Sequence, residues 1–548
     1  MQNSEKQSPK PLQFLREVSG KAKWNILWLL LSQALLGASS VYYALLTRDT
    51  VDHAAAGDRA GFFTSLGLFA LLVVFQIGMR ALIRFLEEYA RSGFQNRFKE
   101  RLFSTLLTRD FQRVSQTHSG EWMNRLTSDT RVVADGLATI VPDLAGTLVR
   151  IVGAVGMLLY LVPRFAPVLL PGGVVLAALT YAFRKRLKRL HKEVQEKDGA
   201  TRTYMQENLE SAMVIRAFAV EQEAVERAAA LMAEHHRARL RRNHFSNFCN
   251  VGFGTAMRGV YVLGLAYCGC GLLTHTMSYG TLMGILQLIS QVQSPVANVT
   301  GYIPKYYAMI ASAERLMEAE DYGRADSTYR SKAEVLAYYR SEFSGIRMEH
   351  VDFAYEADNP VLRDFSMSVK KGEFAAFTGM SGCGKSTVLK LLLGLYRPDR
   401  GSISVDSSYR RLFAYVPQGN LLMSGTLRDV VTMANTAERG SEEKLREALQ
   451  IACAEFAYEL PDGIDTVLGE RGLGLSEGQM QRLAVARAIF SACPILILDE
   501  ATSALDAETE RQLLKNLRAM TDKTVLIVTH RPAALSVCNQ QIVFGAEA

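Results

Sequence analysis

Long uncharged runs fill the chain up to residue 305, whereas short apolar runs, turn residues and alternating charge take over after residue 345. Trp24 to Thr47 is free of charge for 24 residues and Ala60 to Met79 for 20. Each run predicts a helix long enough to cross a hydrocarbon layer of roughly 30 Å. A hairpin of two further spans, 144–161 and 168–183, is expected around Val162-Pro163-Arg164-Phe165-Ala166-Pro167. A fifth span covers 248–273 and a sixth 279–303, completing a set that begins with 24–47 and 60–80. About 60 residues of charged, helix-forming sequence separate span two from three and span four from five. They predict long helices that continue beyond the membrane. Residues 1–317 therefore read as an α-helical six-span membrane domain with helical extensions.

Residues 318–344, rich in charge and small polar side chains, read as a linker. A soluble α/β domain is expected over 345–548. Ile346–Phe353 opens it as a strand. Ala375–Thr378 reads as a buried strand that leads through a glycine-rich loop into a helix over Ser386–Leu393. Ile495–Leu498 and Thr524–Thr529 add two more apolar strands.

Charge decides the orientation of the spans. The formal net charge is +7, but the basic residues cluster at the ends of apolar runs, which points to membrane topology and away from nucleic acid. Lys6, Lys10, Arg16, Lys21 and Lys23 precede span one, Arg184–Arg189 follows span four, and Arg237, Arg239, Arg241 and Arg242 precede span five. The opposite loops carry only Arg48 and Arg59, then Arg164, then none. Both termini and the α/β domain are expected in the cytoplasm of a multi-pass protein. Compactness and the lack of a targeting extension suggest a bacterial cytoplasmic membrane. Seven cysteines, an odd number with no cleavable signal, argue against a disulfide framework. Cys268 and Cys270 lie in an apolar run, where packing is the simpler reading.

Chemistry enters at Gly379-Met380-Ser381-Gly382-Cys383-Gly384-Lys385-Ser386-Thr387. Glycines there let backbone N–H groups converge on phosphate oxygens, and the following helix start adds a favourable dipole. Lys385 is suited to the β- and γ-phosphates of ATP and Ser386 to Mg²⁺. Ile495-Leu-Ile-Leu-Asp499 is a strand ending in a metal-orienting carboxylate, followed by Glu500 as general base or water-positioning group. Leu475-Ser476-Glu477-Gly478-Gln479 stands 24 residues before Asp499.

Taken together, these elements resemble the ATP-binding cassette (ABC) transporters of the exporter type, as a half-transporter with fused membrane and nucleotide-binding domains. The resemblance implies a P-loop ATPase cassette with further assigned roles. Tyr355 would stack on adenine, and Ser381, Gly382, Cys383, Gly384 and Thr387 would line the phosphates with Gly379. Gln418, at the end of Leu412–Gln418, would reach Mg²⁺ or the attacking water. His530, 30 residues beyond Glu500, would touch the γ-phosphate. Ser503-Ala-Leu-Asp506 resembles the family's D-loop. Ser476, Gly478 and Gln479 would meet the ATP held by a second subunit. The commonest family version of that element has Gly in place of Glu477, so a carboxylate stands near a triphosphate here. Ser119–Asp129 and Asn208–Phe218 resemble the coupling elements of exporters. Gly401–Gln418 is shorter than usual, the cassette is expected to lack the usual C-terminal helices after its last strand, and no fused peptidase is expected with some 23 residues before span one.

One set of spans and one cassette are half of such a machine. A homodimer is favoured over pairing with a related half-transporter, because every hydrolytic residue is present. The implied activity is ATP-driven export by alternating access. The alternatives are an importer on the same fold and an ATP-gated channel or sensor. Arg80, Arg150 and Arg258 lie in or at the ends of spans, where a bare guanidinium is costly. Either they line a cavity for an anionic or polar substrate, or Arg80 and Arg258 reach the interface while Arg150 pairs with Asp143.

Overall fold

The computed structural model of the chain describes residues 11–545 apart from 164–165, 321, 323–329, 357–358, 406, 420–421 and 470–473. It divides into two compact units, Met1–Thr105 with Ser119–Asp321, and Leu106–His118 with Tyr322–Ala548.

The first unit is helical. Its helices are α1 (Pro11–Ser19), α2 (Lys23–Ala55) and most of α3 (Arg59–Thr108). The short α4 (Phe111–Ser115) belongs to the second unit. The helical unit resumes with α5 (Ser119–Asn124), α6 (Thr130–Asp135) and α7 (Val141–Leu161), then α8 (Ala166–Glu210), α9 (Ala212–Ala217), α10 (Glu221–Leu273) and α11 (Tyr279–Glu318). Four stretches are long and apolar enough to cross a membrane: Lys23–Ala55, Arg59–Thr108, Ser119–Leu161 and Glu221–Leu273. These contain the first, second, third and fifth expected spans. The fourth and sixth fall in α8 and α11, where the side chains of 166–181 and 293–301 lie outside the described residues.

Helix α2 packs against α7 and α11. A Cβ on Gly37 would stand 2.8 Å from the Gly146 carbonyl oxygen, so absent side chains let α2 and α7 approach closely. Val41, Ala44, Ala154, Leu158 and Leu288 fill the seam beside them. Two π-helical turns, Arg125–Asp129 and Gly136–Ile140, interrupt the run from α5 to α7. At the first, buried Asp129 accepts from Arg315 Nε at 2.8 Å, Arg315 Nη2 at 2.6 Å and Ser312 Oγ at 2.9 Å. Its neighbour Arg125 reaches Glu121 at 2.6 Å and Glu318 at 2.9 Å. Both carboxylate–guanidinium sets tie the π-turn to α11.

Asp143 does not pair with Arg150. Its two oxygens are taken by Gln33 Nε2 at 2.8 Å and the Tyr302 hydroxyl at 3.3 Å, and Arg150 Nε is buried without a hydrogen-bond partner. An uncharged amide and a phenol satisfy the carboxylate because α2 and α11, not the α7 residue two turns on, face it.

After α4, the second unit continues with α12 (Lys332–Ser341), a helix inside the stretch expected as linker. Ser331 and Glu334 close a capping box at its start. Val335, Tyr339 and Phe343 then enter the core, and the Tyr339 hydroxyl meets Thr524 Oγ1 at 2.8 Å. An antiparallel sheet follows in the order β2-β1-β4, built from β1 (Gly345–Glu356), β2 (Asn359–Lys370) and β4 (Arg400–Ile403). Between them come β3 (Phe374–Thr378) and α13 (Lys385–Leu392). The remaining elements are β5 (Phe413–Val416), β6 (Gly425–Thr426), α14 (Leu427–Thr432), α15 (Glu442–Ile451), β7 (Val467–Leu468), α16 (Glu477–Phe490), β8 (Ile495–Asp499), α17 (Ala507–Ala519), β9 (Thr524–Val528), α18 (Pro532–Val537) and β10 (Gln540–Val543).

A five-stranded parallel sheet, β10-β3-β9-β8-β5, lies at the centre of this unit. Alternation sends its residues to two cores. Ala414, Val416, Leu496, Leu498, Val525 and Ile527 pack with α14–α17. Phe413, Ile495, Ile497, Leu526 and Val528 pack with α12, α13 and the antiparallel sheet.

Candidate nucleotide site and its family

In an open parallel sheet, ligands bind beyond the carboxyl ends of the strands. Here those ends deliver the P-loop after β3, Gln418 after β5, Asp499 and Glu500 at β8, and His530 after β9. Strand order places β9 between the P-loop strand and the acidic strand.

The P-loop backbone turns through positive φ at Gly379, Gly382 and Gly384. Gly384 caps α13 at φ 97°, and a Cβ there would lie 2.9 Å from Leu362 Cδ2, so a larger residue is excluded by both conformation and space. Lys385 is buried, and its ammonium donates to the carbonyls of Gly379 at 2.7 Å and Met380 at 2.8 Å. Cys383 Sγ stands 3.7 Å from the same ammonium. Ser381 and Gly382 are exposed at the crest of the loop. Thr387, in the first turn of α13, meets the Tyr355 hydroxyl at 3.1 Å. The Tyr355 ring is 39% exposed and sits edge-on to Phe353 and Tyr396, with Lys390 Nζ 5.5 Å from its centroid.

Asp499 is 3% exposed. Burial pushes its carboxyl above the usual range, while hydrogen bonds from Tyr415 and Ser386 pull the other way and the Glu500 charge adds to the rise. The Tyr415 phenol is itself pushed up by burial and by the charge of Asp499. Glu500 has φ 51°, a strained conformation for a side-chain-bearing residue, held by its N–H to the Val528 carbonyl at 3.1 Å. Gln418 Nε2 donates to Glu500 Oε2 at 2.7 Å, so the ends of β5 and β8 are joined. His530 is exposed.

Ser476 is the N-cap of α16; its hydroxyl accepts from Gln479 N at 3.2 Å, and Gln479 Oε1 returns the bond from Ser476 N at 2.8 Å. A Cβ on Gly478 would stand 2.9 Å from the Ala504 carbonyl oxygen, so the helix start lies flush against the Ser503–Asp506 turn. Gln481 fastens the same contact, donating to Ser503 Oγ at 2.8 Å and accepting from Ala504 N at 3.0 Å.

Residues 25–296 match the family model for the ABC transporter transmembrane region, and residues 362–503 match the ABC transporter model. The chain belongs to the ABC transporters. The membrane region and the ABC region are thus matched one after the other in a single chain. It is 29% identical over 493 residues to ABC transporter B family member 1 of Dictyostelium discoideum, covering 87% of this chain and 53% of that protein, so it spans about half the relative's length. It is 28% identical over 526 residues to the ABC transporter ATP-binding protein YwjA of Bacillus subtilis, covering 92% of this chain and 89% of that one. Its fold is similar to that of a bacterial Atm1-family ABC exporter solved with ATP bound, with a TM-score of 0.79 at 20% identity over 95% of this chain and 93% of that one.

Within this ABC cassette, hard oxygen donors suit a magnesium nucleotide. Ser386 and Asp499 are hydrogen-bonded to each other, and Gln418 donates to the adjacent Glu500. Among the described residues no group of three or more His, Cys, Asp or Glu could hold a metal alone. Mg²⁺ does not need one, since it retains waters and takes substrate phosphates as ligands.

Several residues of the transporter's site carry no signal of their own in the sequence. Tyr415 sits inside a stretch that reads as an apolar strand, and only the β5–β8 register brings it to Asp499. Arg531, next to His530, donates to the carbonyls of Ser503 and Leu505 and to Glu510 Oε2, each at 2.9 Å. Tyr396 meets Ser115 Oγ at 3.0 Å and the Phe111 ring at a centroid distance of 6.1 Å. Thus 106–118 clusters with the cassette, while Ser119–Asp129 lies in the helical unit.

Proposed function

We propose that two copies of this chain form an exporter that hydrolyses ATP at the seam between their cassettes and moves a polar or anionic substrate outward from the cytoplasm or inner leaflet. One observation carries the reading: the cassette has all the parts of a nucleotide site, but its Ser476 helix start is not among the partners of its own P-loop. Among the described residues no hydrogen bond joins Ser476, Gly478 or Gln479 to Gly379–Thr387. A helix N-terminus of that kind suits a phosphate delivered by another chain.

In this reading Lys385 leaves the loop carbonyls for the β- and γ-phosphates, and Tyr355 stacks on the adenine. Gly379, Ser381, Gly382, Cys383, Gly384 and Thr387 surround the phosphates, and Ser476, Gly478 and Gln479 of the second copy complete the pocket. Glu500 aligns the attacking water and accepts its proton, and His530 contacts the γ-phosphate. Mg²⁺, held by Ser386 with Asp499 and Gln418, would offset phosphate charge. Six spans with both termini in the cytoplasm of a bacterial cell membrane complete the topology.

Two further features support the scheme. Helix α9 exposes Met213 (83%) and Val214, and its flanks expose Leu209 and Phe218, an apolar tip suited to another chain's cassette. Arg150, whose Nε is buried without a partner, favours an anionic group on the transported molecule. ATP binding then needs to bias two membrane conformations that differ by a few kcal/mol.

The test uses dimers purified through two different tags. With Lys385→Ala in one copy and Ser476→Arg in the other, one shared site stays intact and about half the ATPase activity is expected. With both changes in one copy, neither site is intact and activity is lost. The opposite pattern would mean that each chain completes its own site.

A further inference from the structure

We infer that Tyr415 is a positioning residue that fixes the carboxylate of Asp499 for the metal of the nucleotide site, an inference that rests on the Mg²⁺ reading given above. Strands β5 and β8 run parallel with Tyr415 opposite Ile497. Asp499, two residues on, leaves the same sheet face. That face carries α13, and with it Ser386. The Tyr415 hydroxyl donates to Asp499 Oδ2 at 3.2 Å, and Ser386 also hydrogen-bonds the carboxylate. A side chain 3% exposed is thereby held from two directions.

The chemistry of the donor matters. A guanidinium or ammonium in place of the phenol would fix Asp499 equally well, but its positive charge would compete with a cation for the carboxylate. A phenol orients one oxygen and leaves the negative charge available. Partners of metal-binding carboxylates act in this way, and their loss costs metal affinity. Strand β5 and the turn after it serve both acids: Tyr415 faces Asp499, and Gln418, three residues later, donates to Glu500 Oε2 at 2.7 Å. The two neighbouring carboxylates therefore have separate, uncharged holders within one four-residue stretch, Tyr415 to Gln418.

The test is made on the full-length protein carrying Glu500→Gln, so that bound ATP persists. Affinity for a fluorescent ATP analogue is measured first in EDTA and then along a Mg²⁺ titration. Tyr415→Phe keeps the ring and removes the hydroxyl. Affinity in EDTA is expected to stay within about twofold, while the Mg²⁺ concentration for half-maximal tightening rises about tenfold, or about 1.4 kcal/mol. On an Asp499→Asn background the same change is expected to add less than about twofold, because the phenol works only through that carboxylate. An unmoved Mg²⁺ titration in Tyr415→Phe, with a shift in Asp499→Asn, overturns the role of Tyr415 and leaves the metal reading standing. No shift in Asp499→Asn overturns the metal reading and the inference together. Equal weakening with and without Mg²⁺ makes Tyr415 a packing residue only, which also overturns it. Should Tyr415→Phe melt earlier, the cycle with Asp499→Asn still decides: additive effects refute the inference and non-additive effects support it.

Discussion

Replacing Arg531 with Leu should loosen the Ser503–Asp506 turn and destabilise the cassette, by an amount the structure allows to be worked out. Arg531 donates to Glu510 Oε2 and to the carbonyls of Leu505 and Ser503, each at 2.9 Å. The Glu510 side chain is only 4% exposed, and its other oxygen accepts from Thr502 Oγ1 at 2.8 Å. Leucine fills much of the space but leaves that carboxylate without its cation. Breaking a buried ion pair from one side costs about 3–5 kcal/mol. The Arg531 side chain is 36% exposed, so water already screens part of the interaction and the lower end applies. The expectation is about 3 kcal/mol. For a unit near 200 residues, that lowers the cassette's melting temperature by about 6–12 °C. Thermal unfolding of the purified full-length protein measures the shift, and hydrogen exchange at Ser503–Asp506 reports the local loosening. Glu510→Gln removes the stranded charge, so the double variant should recover more than half of the loss. A melting temperature within 1 °C of the parent would refute the reasoning, as would a double variant whose cost equals the sum of the single costs.

Glu500→Gln should bind ATP and bring the cassettes together while hydrolysis falls at least about a hundredfold; normal turnover would reassign the base. Glu477→Gly removes a carboxylate from the first turn of α16, so half-saturation by ATP should improve several-fold, and an unchanged or weaker response would show that Glu477 does not oppose the triphosphate. Alkylation of Cys383 should abolish ATP binding and be slowed by prior ATP, since the thiol is 3.7 Å from the Lys385 ammonium; labelled protein that still binds ATP would place the thiol outside the pocket. Arg150→Gln should lower substrate-stimulated ATPase and spare the basal rate, and equal stimulation in both proteins would remove Arg150 from the substrate path.

Much of the cassette was legible because its parts are local. Gly379–Thr387 needs only a strand before it and a helix after it, and both are present as β3 and α13. The acidic strand at Ile495–Asp499 is five consecutive buried residues in the structure. Six apolar runs were expected to span a membrane, and among the described residues four helices have that length and composition, since composition alone sets whether a helix can cross hydrocarbon. The linker was less legible: Lys332–Ser341 has a mixed composition, and its helix is settled by the Ser331–Glu334 cap and by Tyr339 entering the core. The pairing of Arg150 with Asp143 failed because proximity along a helix does not decide which neighbour faces a carboxylate. Gln33 and Tyr302 reach it from α2 and α11.

The amino-acid order by itself determined the kinds of element, their sequence and the chemical identity of the phosphate and acid motifs, because each depends on spacing within a few residues. Only the tertiary structure decided which distant side chains share the carboxyl edge of the sheet. Tyr415 and Asp499 are 84 residues apart, Gln418 and Glu500 are 82 apart, and Arg531 and Glu510 are 21 apart. Strand order and register bring the first two pairs together, and neither is written in any local pattern, since the same motifs on a differently ordered sheet would face other partners.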